Sequence, residues 1–378
     1  MTAPRITAVR THHLRHALTQ KFQSAFNTFH DRQACLVEIE AEGGLTGWGE
    51  CLGPASINVA IVAAMTPLLI GRDARDIEVI WLDLYNHFRD QGQRGATMTA
   101  QSGIDIALWD LVGKYHGEPI HKVMGGAFRD HVPAYATGGF RPVGLDRDAT
   151  LREELTARIA EGFSAHKIKI GYGVKADITS IAVARDTIGP DAHLMIDANH
   201  GYDEGEAAEV GQAVAHFGID WFEEPVTPEH LAAYRSLRHR QPIPVAGGET
   251  WHGRWAFRDA IEAEAVDILQ PDVCGCGGMT EMRKIYAMAE VAAVRVVPHV
   301  WGTGIAVAAA LQILAILPYH PPRHEPRAPW LEFDQTPNPL RDDILCAPFR
   351  HQNGIVGVPD GPGLGVEVNA AALAAFRV

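Results

Sequence analysis

The second half of the chain repeats one pattern of apolar and polar positions. Residues 194–196 form a short apolar run that leads directly into Asp197, with Asn199 and a glycine after it. A buried strand that surfaces into a polar loop gives this pattern. The same change of polarity recurs downstream at Glu223, Glu249, Asp272 and His299. The pattern predicts a series of buried strands, each ending in a residue that can ionise or bind a metal ion.

The spacing of these polar ends indicates one strand–helix unit for each of them. Steps of 26, 26, 23 and 27 residues connect Asp197, Glu223, Glu249, Asp272 and His299 in order. A (β/α)8 barrel of ~250 residues allots ~31 residues to each unit, which is close to these steps. We therefore expect the five side chains to meet at one rim of a barrel.

Helical patterns fill the intervals between the strands and complete an α/β order. A first strand is predicted at residues 132–137, another at 165–170 and an eighth at 329–333. The helical segments are 151–161, 178–188, 206–217, 230–237, 255–262, 280–292 and 305–317. Because parallel strands need helical crossovers, this order predicts a (β/α)8-type barrel, a modified TIM barrel, over residues 126–345.

The first 125 residues lack this rhythm and predict a separate N-terminal α+β capping domain. Residues 6–14 and 34–42 have the pattern of strands, and Gly43-Gly44 predicts a hairpin turn. Apolar residues at helical spacing predict helices at 59–70, 75–89 and 97–115. Residues 20–32 and 49–55 are interpreted as loops, either ordinary surface loops or loops that cover a site. The Gly- and Pro-rich residues 346–378 are expected to pack back on this domain.

Composition narrows the class of protein. The 378 residues are 47% hydrophobic and 21% charged, which allows a large core and argues against disorder. A net charge of −13 argues against a nucleic-acid or anionic-membrane surface. Five scattered cysteines, the lack of a signal-peptide pattern and the lack of a membrane-length apolar run predict a cytoplasmic protein.

Three acids are the strongest candidate chemistry. Asp197, Glu223 and Glu249 end successive strands, and neighbouring strands lie ~4.8 Å apart, so their carboxylates should crowd together. Three such charges repel unless a cation lies between them, and an all-oxygen ligand set selects Mg²⁺, with Mn²⁺ close behind. The alternative is three separate surface carboxylates. Because adjacent strand residues point to opposite faces, we expect Glu223, and not Glu224, to face the metal.

Two lysines form a second candidate group. Lys167 and Lys169 lie two residues apart on a predicted strand, so they share a face, while Ile168 and Ile170 occupy the face that barrel helices cover. At ~6.6 Å and an effective dielectric of ~20, the two charges repel by about 2.5 kcal/mol. That repulsion lowers a lysine pKa to about 8 to 9, where it can act as a general base. An outward-facing lysine pair is the alternative.

Asp272 and His299 form a candidate dyad because they end consecutive strands. A carboxylate that holds one imidazole nitrogen fixes the tautomer and raises the basicity of the ring, which leaves the other nitrogen for proton transfer. A histidine with only a structural role is the alternative.

These motifs resemble, in chain order, those of the enolase superfamily, mandelate racemase subgroup. The matching motifs are Lys-x-Lys at 167–169, Asp-Ala-Asn at 197–199, Glu-Glu-Pro at 223–225, Gly-Glu at 248–249 and the Asp272/His299 pair. The resemblance implies that the three acids hold Mg²⁺, that Lys169 is a base on one substrate face with Lys167 beside it, and that His299 acts on the other. It also implies that Glu332 binds the substrate carboxylate through its own protonated carboxyl group.

Longer segments resemble the members of this family that open the lactones of acid sugars to 3-deoxy-2-keto acids. The segments are 90–95, 196–202, 246–252, 272–278, 298–304 and 332–339. An acid-sugar dehydratase, a racemase of the same subgroup and a non-catalytic sugar-acid binding protein remain alternatives. Candidate substrate-binding residues are Asn199, Lys21, His30 and Arg94. We also expect a homo-oligomer.

Overall fold

The computed structural model describes residues 3–319, 324 and 329–378, and it contains two sheets. The strands are β1 (Ile6–Gln23), β2 (Thr28–Ala41), β3 (Thr46–Cys51), β4 (His131–Gly138), β5 (Arg141–Pro142), β6 (Ala165–Lys169), β7 (His193–Asp197), β8 (Ile219–Glu223), β9 (Val245–Gly247), β10 (Ile268–Leu269), β11 (Arg295–Val296), β12 (Leu331–Asp334) and β13 (Ile355–Gly357).

Helices lie between most of these strands. They are α1 (Ala55–Met65), α2 (Ile77–Phe88), α3 (Ala96–His116), α4 (Ile120–Val123), α5 (Arg147–Ala160), α6 (Val174–Ile188), α7 (Glu204–Val214), α8 (Leu231–Arg240), α9 (Gly253–Glu262), α10 (Gly278–Val291), α11 (Gly304–Ile316), α12 (Pro339–Asp342) and α13 (Ala370–Phe376). Short 3₁₀ turns follow α1 and α7. In the described residues, no helix has both the length and the apolar character needed to cross a membrane.

The N-terminal sheet is antiparallel, in the order β3-β2-β1-β5, and packs on α3. The contact is close: a Cβ atom at Gly49 would lie 2.0 Å from the carbonyl oxygen of Gly103, so only glycine fits there. The predicted hairpin at residues 43–44 and the three predicted helices are confirmed, with ends shifted by a few residues.

The predicted loop at residues 20–32 is wrong for most of its length. β1 continues to Gln23 and β2 begins at Thr28, so only residues 24–27 form the turn. Both strands are polar and largely exposed where they extend beyond the rest of the sheet, so they lack the apolar alternation that marks a strand. Backbone pairing between β1 and β2 forms the extension instead.

The larger sheet is the predicted barrel sheet. Its parallel strands follow the order β12-β4-β6-β7-β8-β9-β10-β11, so β4 is the first strand around the barrel and β12 the eighth. Seven long helices, α5 to α11, connect the eight strands, and the eighth is followed directly by the short α12. All eight strands point the same way, which places their C-terminal ends at one rim.

The C-terminal segment lies against the N-terminal sheet. The backbone N–H of Val378 donates to the carbonyl oxygen of His13, and Arg377 pairs with Leu14 of β1. The division into residues 1–125, 126–345 and 346–378 stays a prediction.

Candidate active site

Three carboxylates meet at the C-terminal rim of the barrel sheet. Asp197 is the last residue of β7 and pairs in register with Glu223, the last residue of β8, while Glu249 lies two residues after β9. One carboxylate oxygen from each lies within 4.8 Å of the other two. Asp197 and Glu223 are fully buried, and Glu249 is partly exposed. Strand register therefore brings together three acids that are far apart in the sequence.

Glu224 also reaches this rim, contrary to the expectation that it faces away. Its backbone has φ 42°, in the left-handed region, so strand alternation ends at Glu223. The Glu224 carboxylate forms a second cluster with Glu249 and His200, and His200 Nε2 lies 3.1 Å from Glu224 Oε2. The expected cluster of Glu223 with Asp197 and Glu249 is nevertheless present.

Both lysines of β6 point into the barrel, as their alternation with the isoleucines predicts. Lys167 Nζ lies 2.5 Å from Glu223 Oε1 and 3.6 Å from Asp197 Oδ2. Lys169 Nζ donates to Asp197 Oδ2 at 2.5 Å. Both ammonium groups are therefore paired with buried carboxylates.

The pKa values of these lysines differ from the expectation. Burial lowers both, but the surrounding carboxylates, chiefly Glu223 for Lys167 and Asp197 for Lys169, outweigh it and raise both pKa values. Repulsion from Lys167 does lower the pKa of Lys169, but by less than Asp197 raises it. The prediction of a lysine pKa at about 8 to 9 is thus wrong for this set of charges, because it counted the two lysines and omitted the acids.

Glu332, on the eighth strand, is ionised in this arrangement. Its Oε1 accepts from Thr137 at 2.7 Å and pairs with Lys167 Nζ at 2.7 Å, and its Oε2 accepts from the Val300 N–H at 3.1 Å. Burial raises the pKa of Glu332, but Lys167 and then His299 outweigh burial and lower it. This result is contrary to the protonated carboxyl group that the family resemblance implies.

The predicted dyad is present. His299 Nδ1 lies 2.6 Å from Asp272 Oδ2, and His299 Nε2 lies 3.2 Å from Glu249 Oε2. Burial lowers the pKa of His299, but Glu249, Glu332 and Asp272 outweigh it and raise the pKa to about 10. The carboxylates at both ring nitrogens thus favour the charged form of His299, whose Nε2 is directed toward the acid cluster.

The site has an excess of negative charge that fits a divalent cation. Six carboxylates, those of Asp197, Glu223, Glu224, Glu249, Asp272 and Glu332, surround three cationic side chains, those of Lys167, Lys169 and His299. With all of them ionised, three negative charges remain unbalanced, which is costly in a buried site. Among the described residues, the buried Glu249 Oε2 accepts no hydrogen bond of good geometry, and its one near cationic neighbour is His299 Nε2 at 3.2 Å. The oxygen donor set suits Mg²⁺.

A cavity of about 340 Å³ opens above these side chains. Lys169, Asn199, Glu249, His299 and Glu332 line its floor. Its cover consists of residues 24–29 of the β1–β2 hairpin and residues 52–54 after β3, from which Ser24, Phe26, Asn27, Phe29, Leu52, Gly53 and Pro54 line the cavity. The segments 20–32 and 49–55 thus contribute to covering the site, one of the two interpretations considered from the sequence.

Three of the predicted substrate-binding residues do not line the cavity. Lys21, His30 and Arg94 are exposed, although Phe29 and Gly95 next to two of them do line it. Alternation along β2 explains His30, since Phe29 and His30 face opposite sides. Their part in substrate binding stays a prediction, whereas Asn199 is among the lining residues.

Sequence reasoning missed other cavity residues. Thr137, near the end of the first barrel strand, follows the strand-end rule and was detectable by it. His252, at the end of the loop after β9, lay in a motif used only for the family resemblance. Trp301 also lay in such a motif, at residues 298–304, whereas Phe140 comes from a loop without any pattern that predicts a cavity wall.

Comparison with known proteins supports this geometry. Residues 6–125 match the family model of the mandelate racemase/muconate lactonizing enzyme N-terminal domain, and residues 150–372 match the enolase C-terminal domain-like model.

Individual relatives cover almost the whole chain. A D-galactarolactone cycloisomerase from Agrobacterium fabrum is 56% identical over 99% of both chains. An arabinonate dehydratase from Saccharolobus solfataricus is 36% identical over 90% of this chain and 89% of the relative. A racemase from Streptomyces coelicolor, solved with bound magnesium, is 29% identical with a TM-score of 0.88 over 99% of this chain and 100% of that chain.

Proposed function

We propose that this chain, which belongs to the mandelate racemase/muconate lactonizing enzyme family, is a Mg²⁺-dependent isomerase that opens galactarolactone to a 3-deoxy-2-keto-hexarate. The 56% identity to a D-galactarolactone cycloisomerase along the whole chain supports this substrate. The observation that carries the chemistry is the order of groups around the barrel. Lys169 ends the second strand, the three clustered acids belong to the third, fourth and fifth, and His299 follows the seventh.

In this proposal Lys169 and His299 are the two acid–base groups, and the strand order supports one on each side of the acid cluster. We assign Asp197, Glu223 and Glu249 as the ligands of Mg²⁺. The bound ion supplies positive charge that stabilises the negative charge developing on the substrate carboxylate when its alpha proton leaves. Cationic Lys167, next to the same acids, adds positive charge from the protein.

Lys169 removes the alpha proton in this proposal. Its Nζ must first be neutral, whereas without a metal ion Asp197 stabilises the charged form more than Lys167 disfavours it. A cation held by Asp197 would compete with Nζ for that carboxylate and would lower the pKa of Lys169. The C–O bond of the lactone beta to the carboxylate then breaks, and the ring oxygen leaves as part of a carboxylate, a weak base that needs little protonation. The resulting enol gains a proton at carbon 3 and loses its hydroxyl proton, which gives the 2-keto acid. The proton taken from the alpha carbon is matched by the proton of the newly formed carboxyl group, so the lactone and the acid product have the same formula and the reaction is an isomerisation.

Dehydration of an acid sugar is the second candidate function. The protonated His299 and the arabinonate dehydratase relative favour it, because a hydroxide leaving group needs a well-placed acid. A racemase would use the same two groups on opposite faces of the substrate. A sugar-acid binding protein is the non-catalytic alternative, and it would not need the acid–base groups that this site retains.

Mass spectrometry in D₂O separates these functions. The chain is incubated with Mg²⁺ and, in turn, D-galactarolactone, galactarate and arabinonate. A cycloisomerase gives a 2-keto acid of the mass of the lactone plus incorporated deuterium, whereas a dehydratase gives a 2-keto acid that has lost water. A racemase incorporates deuterium at the alpha carbon without forming a keto acid. Binding of these compounds with neither product nor deuterium exchange would contradict an enzymatic role.

Two broader predictions accompany this proposal. We expect a homo-oligomer in solution, which light scattering after size-exclusion chromatography measures, and a cytoplasmic location, which cell fractionation measures.

A further inference from the structure

Two histidines line the same cavity, and their partners differ. His299 has a carboxylate at each ring nitrogen. His252, in the loop between β9 and α9, has Nδ1 2.9 Å from the carbonyl oxygen of Gly275. Among the described residues, His252 Nε2 has no hydrogen-bond partner. This atom is also not fully enclosed by the protein.

The Gly275 carbonyl fixes the tautomer of His252. A carbonyl oxygen can only accept a hydrogen bond, so Nδ1 carries the proton and Nε2 presents a lone pair. Burial lowers the pKa of His252 by more than the Gly275 carbonyl and Asp272 together raise it, and Arg94 makes the smallest contribution, which also lowers it. With Nδ1 donating to Gly275, His252 therefore presents a neutral acceptor at Nε2.

We propose that His252 Nε2 is a hydroxyl-binding subsite, which accepts a hydrogen bond from a hydroxyl group of the polyhydroxylated acid in the cavity. The inference depends on the proposed function in that it takes an acid sugar as the ligand. A bare imidazole nitrogen cannot bind a carboxylate, which has no proton to donate, so the acid group of the substrate does not lie here. The subsite selects substrates that carry a hydroxyl group at this position.

A pair of substitutions tests the subsite by kinetics. His252→Phe keeps an aromatic ring and removes the acceptor, and we expect the KM for D-galactarolactone to rise about tenfold, with a smaller change in kcat. His252→Gln places an amide oxygen near the position of Nε2, and we expect it to restore KM to within about threefold of the wild type. His239→Phe, on the exposed face of α8, is the matched control.

Deoxy analogues identify the interaction. For one of the lactones that lack a single hydroxyl group, we expect binding to the wild type to be about tenfold weaker than binding of the parent lactone. His252→Phe should bind that analogue and the parent lactone equally well. Equal penalties in both proteins for every deoxy analogue would overturn the subsite, and so would an unchanged KM in His252→Phe. A structural role would change the affinity for all analogues alike.

NMR of ¹⁵N-histidine protein tests the inference without turnover. The wild-type resonances that are absent from His252→Gln belong to His252, and their shifts should show a protonated Nδ1 and an unprotonated Nε2. The Nε2 signal should shift when galactarate and Mg²⁺ are added. A protonated Nε2, or no shift at saturating galactarate, would overturn the subsite. Turnover of no acid sugar by the wild type would instead contradict the proposed function, while the NMR result would still decide on the subsite.

Discussion

The cavity has two walls of different character. Its floor consists of Lys169, Asn199, Glu249, His299 and Glu332. The buried charged side chains of Lys167, Asp197, Glu223 and Asp272 lie next to this floor, each in contact with an opposite charge. Its roof consists of residues 24–29 and 52–54 from the N-terminal domain. Phe26 in the roof is 65% exposed. The floor has the charged groups to which we assign proton transfer, and the roof has polar and aromatic groups that line the cavity.

This difference leads us to expect different consequences of substitution. A change in the floor should reduce the rate of the chemical step, because it removes a charge or a proton-transfer group. A change in the roof should alter substrate affinity, because it removes contacts that are similar for the substrate and the transition state. The following predictions test that separation, in order of decreasing effect.

Removal of the metal should have the largest effect. EDTA should reduce turnover of D-galactarolactone to the background rate. Without the ion held by the three acids, the negative charge that develops on the substrate is no longer stabilised. Added Mg²⁺ should restore turnover, and titration with Mn²⁺ should show that Glu223→Gln weakens binding of the ion. Glu229→Gln, on an exposed residue, is the control. Undiminished turnover after exhaustive dialysis against EDTA would remove the metal from the mechanism.

Loss of a floor base should have the next largest effect. Lys169→Ala should lower kcat by at least about 10³-fold and stop deuterium exchange at the alpha carbon, with the fold retained. His299→Asn should also lower activity. The loss should be smaller for a lactone than for a substrate that must lose hydroxide, because the lactone leaving group needs little protonation. Near-normal rates in both variants would show that the bases are assigned wrongly. Lys175→Ala, on the exposed face of α6, is the control.

The two walls also differ in how far the sequence predicts them. The floor was predictable because most of its residues lie at or just after the C-terminal end of a buried strand, and parallel strands bring such ends to one rim whatever the loops do. The roof was not predictable from the sequence, because the ends of β1 and β2 that form it are polar and are held in place by pairing with each other. Phe29 then contacts Phe140 and Trp301, which are distant in the sequence. The direction in which the pKa values of Lys167 and Lys169 shift also could not be predicted from the sequence. It depends on the distances to Asp197 and Glu223, whose attraction outweighs the repulsion between the two lysines.

Glu50 links the roof to the barrel and gives a pH-dependent prediction. Its carboxylate accepts hydrogen bonds from the Thr303 hydroxyl at 2.6 Å and from the N–H of Ala306 at 3.0 Å, at the start of α11. Burial raises its pKa from 4.5 to about 7. Between these pH values the folded protein binds one more proton than the unfolded chain, so the free energy of unfolding falls as pH rises, by about 3 kcal/mol across the window.

Glu50→Gln should remove that part of the pH dependence. Urea unfolding at pH 5 and pH 8 measures it: the wild type should lose about 3 kcal/mol more than the variant between the two pH values. Glu42→Gln, on an exposed residue of the same domain, should follow the wild type. An equal loss in the wild type and Glu50→Gln would show that Glu50 titrates normally and that the link between roof and barrel is not sensitive to its charge.

The smallest effect should come from the roof itself. Phe29 lines the cavity, and its ring centroid lies 5.0 Å from that of Trp301 and 5.1 Å from that of Phe22. Phe29→Ala should raise KM by about five- to tenfold and change kcat by less than about threefold, because it removes contact area and no charge. Phe26→Ala should change either value by less than about twofold, since its ring is mostly exposed and lies 5.9 Å from the His200 ring.

The Phe29→Ala and Phe26→Ala variants test whether the roof and the floor have separate effects on KM and kcat. Should Phe29→Ala lower kcat as strongly as Lys169→Ala does, the roof would take part in the chemical step, for example by excluding water from the floor, and the separation of the two walls would fail. Should Phe26→Ala raise KM as much as Phe29→Ala, the hairpin tip would close further over a bound substrate than its exposure indicates. A rise in KM confined to Phe29→Ala would locate the contact with substrate at the buried edge of the roof.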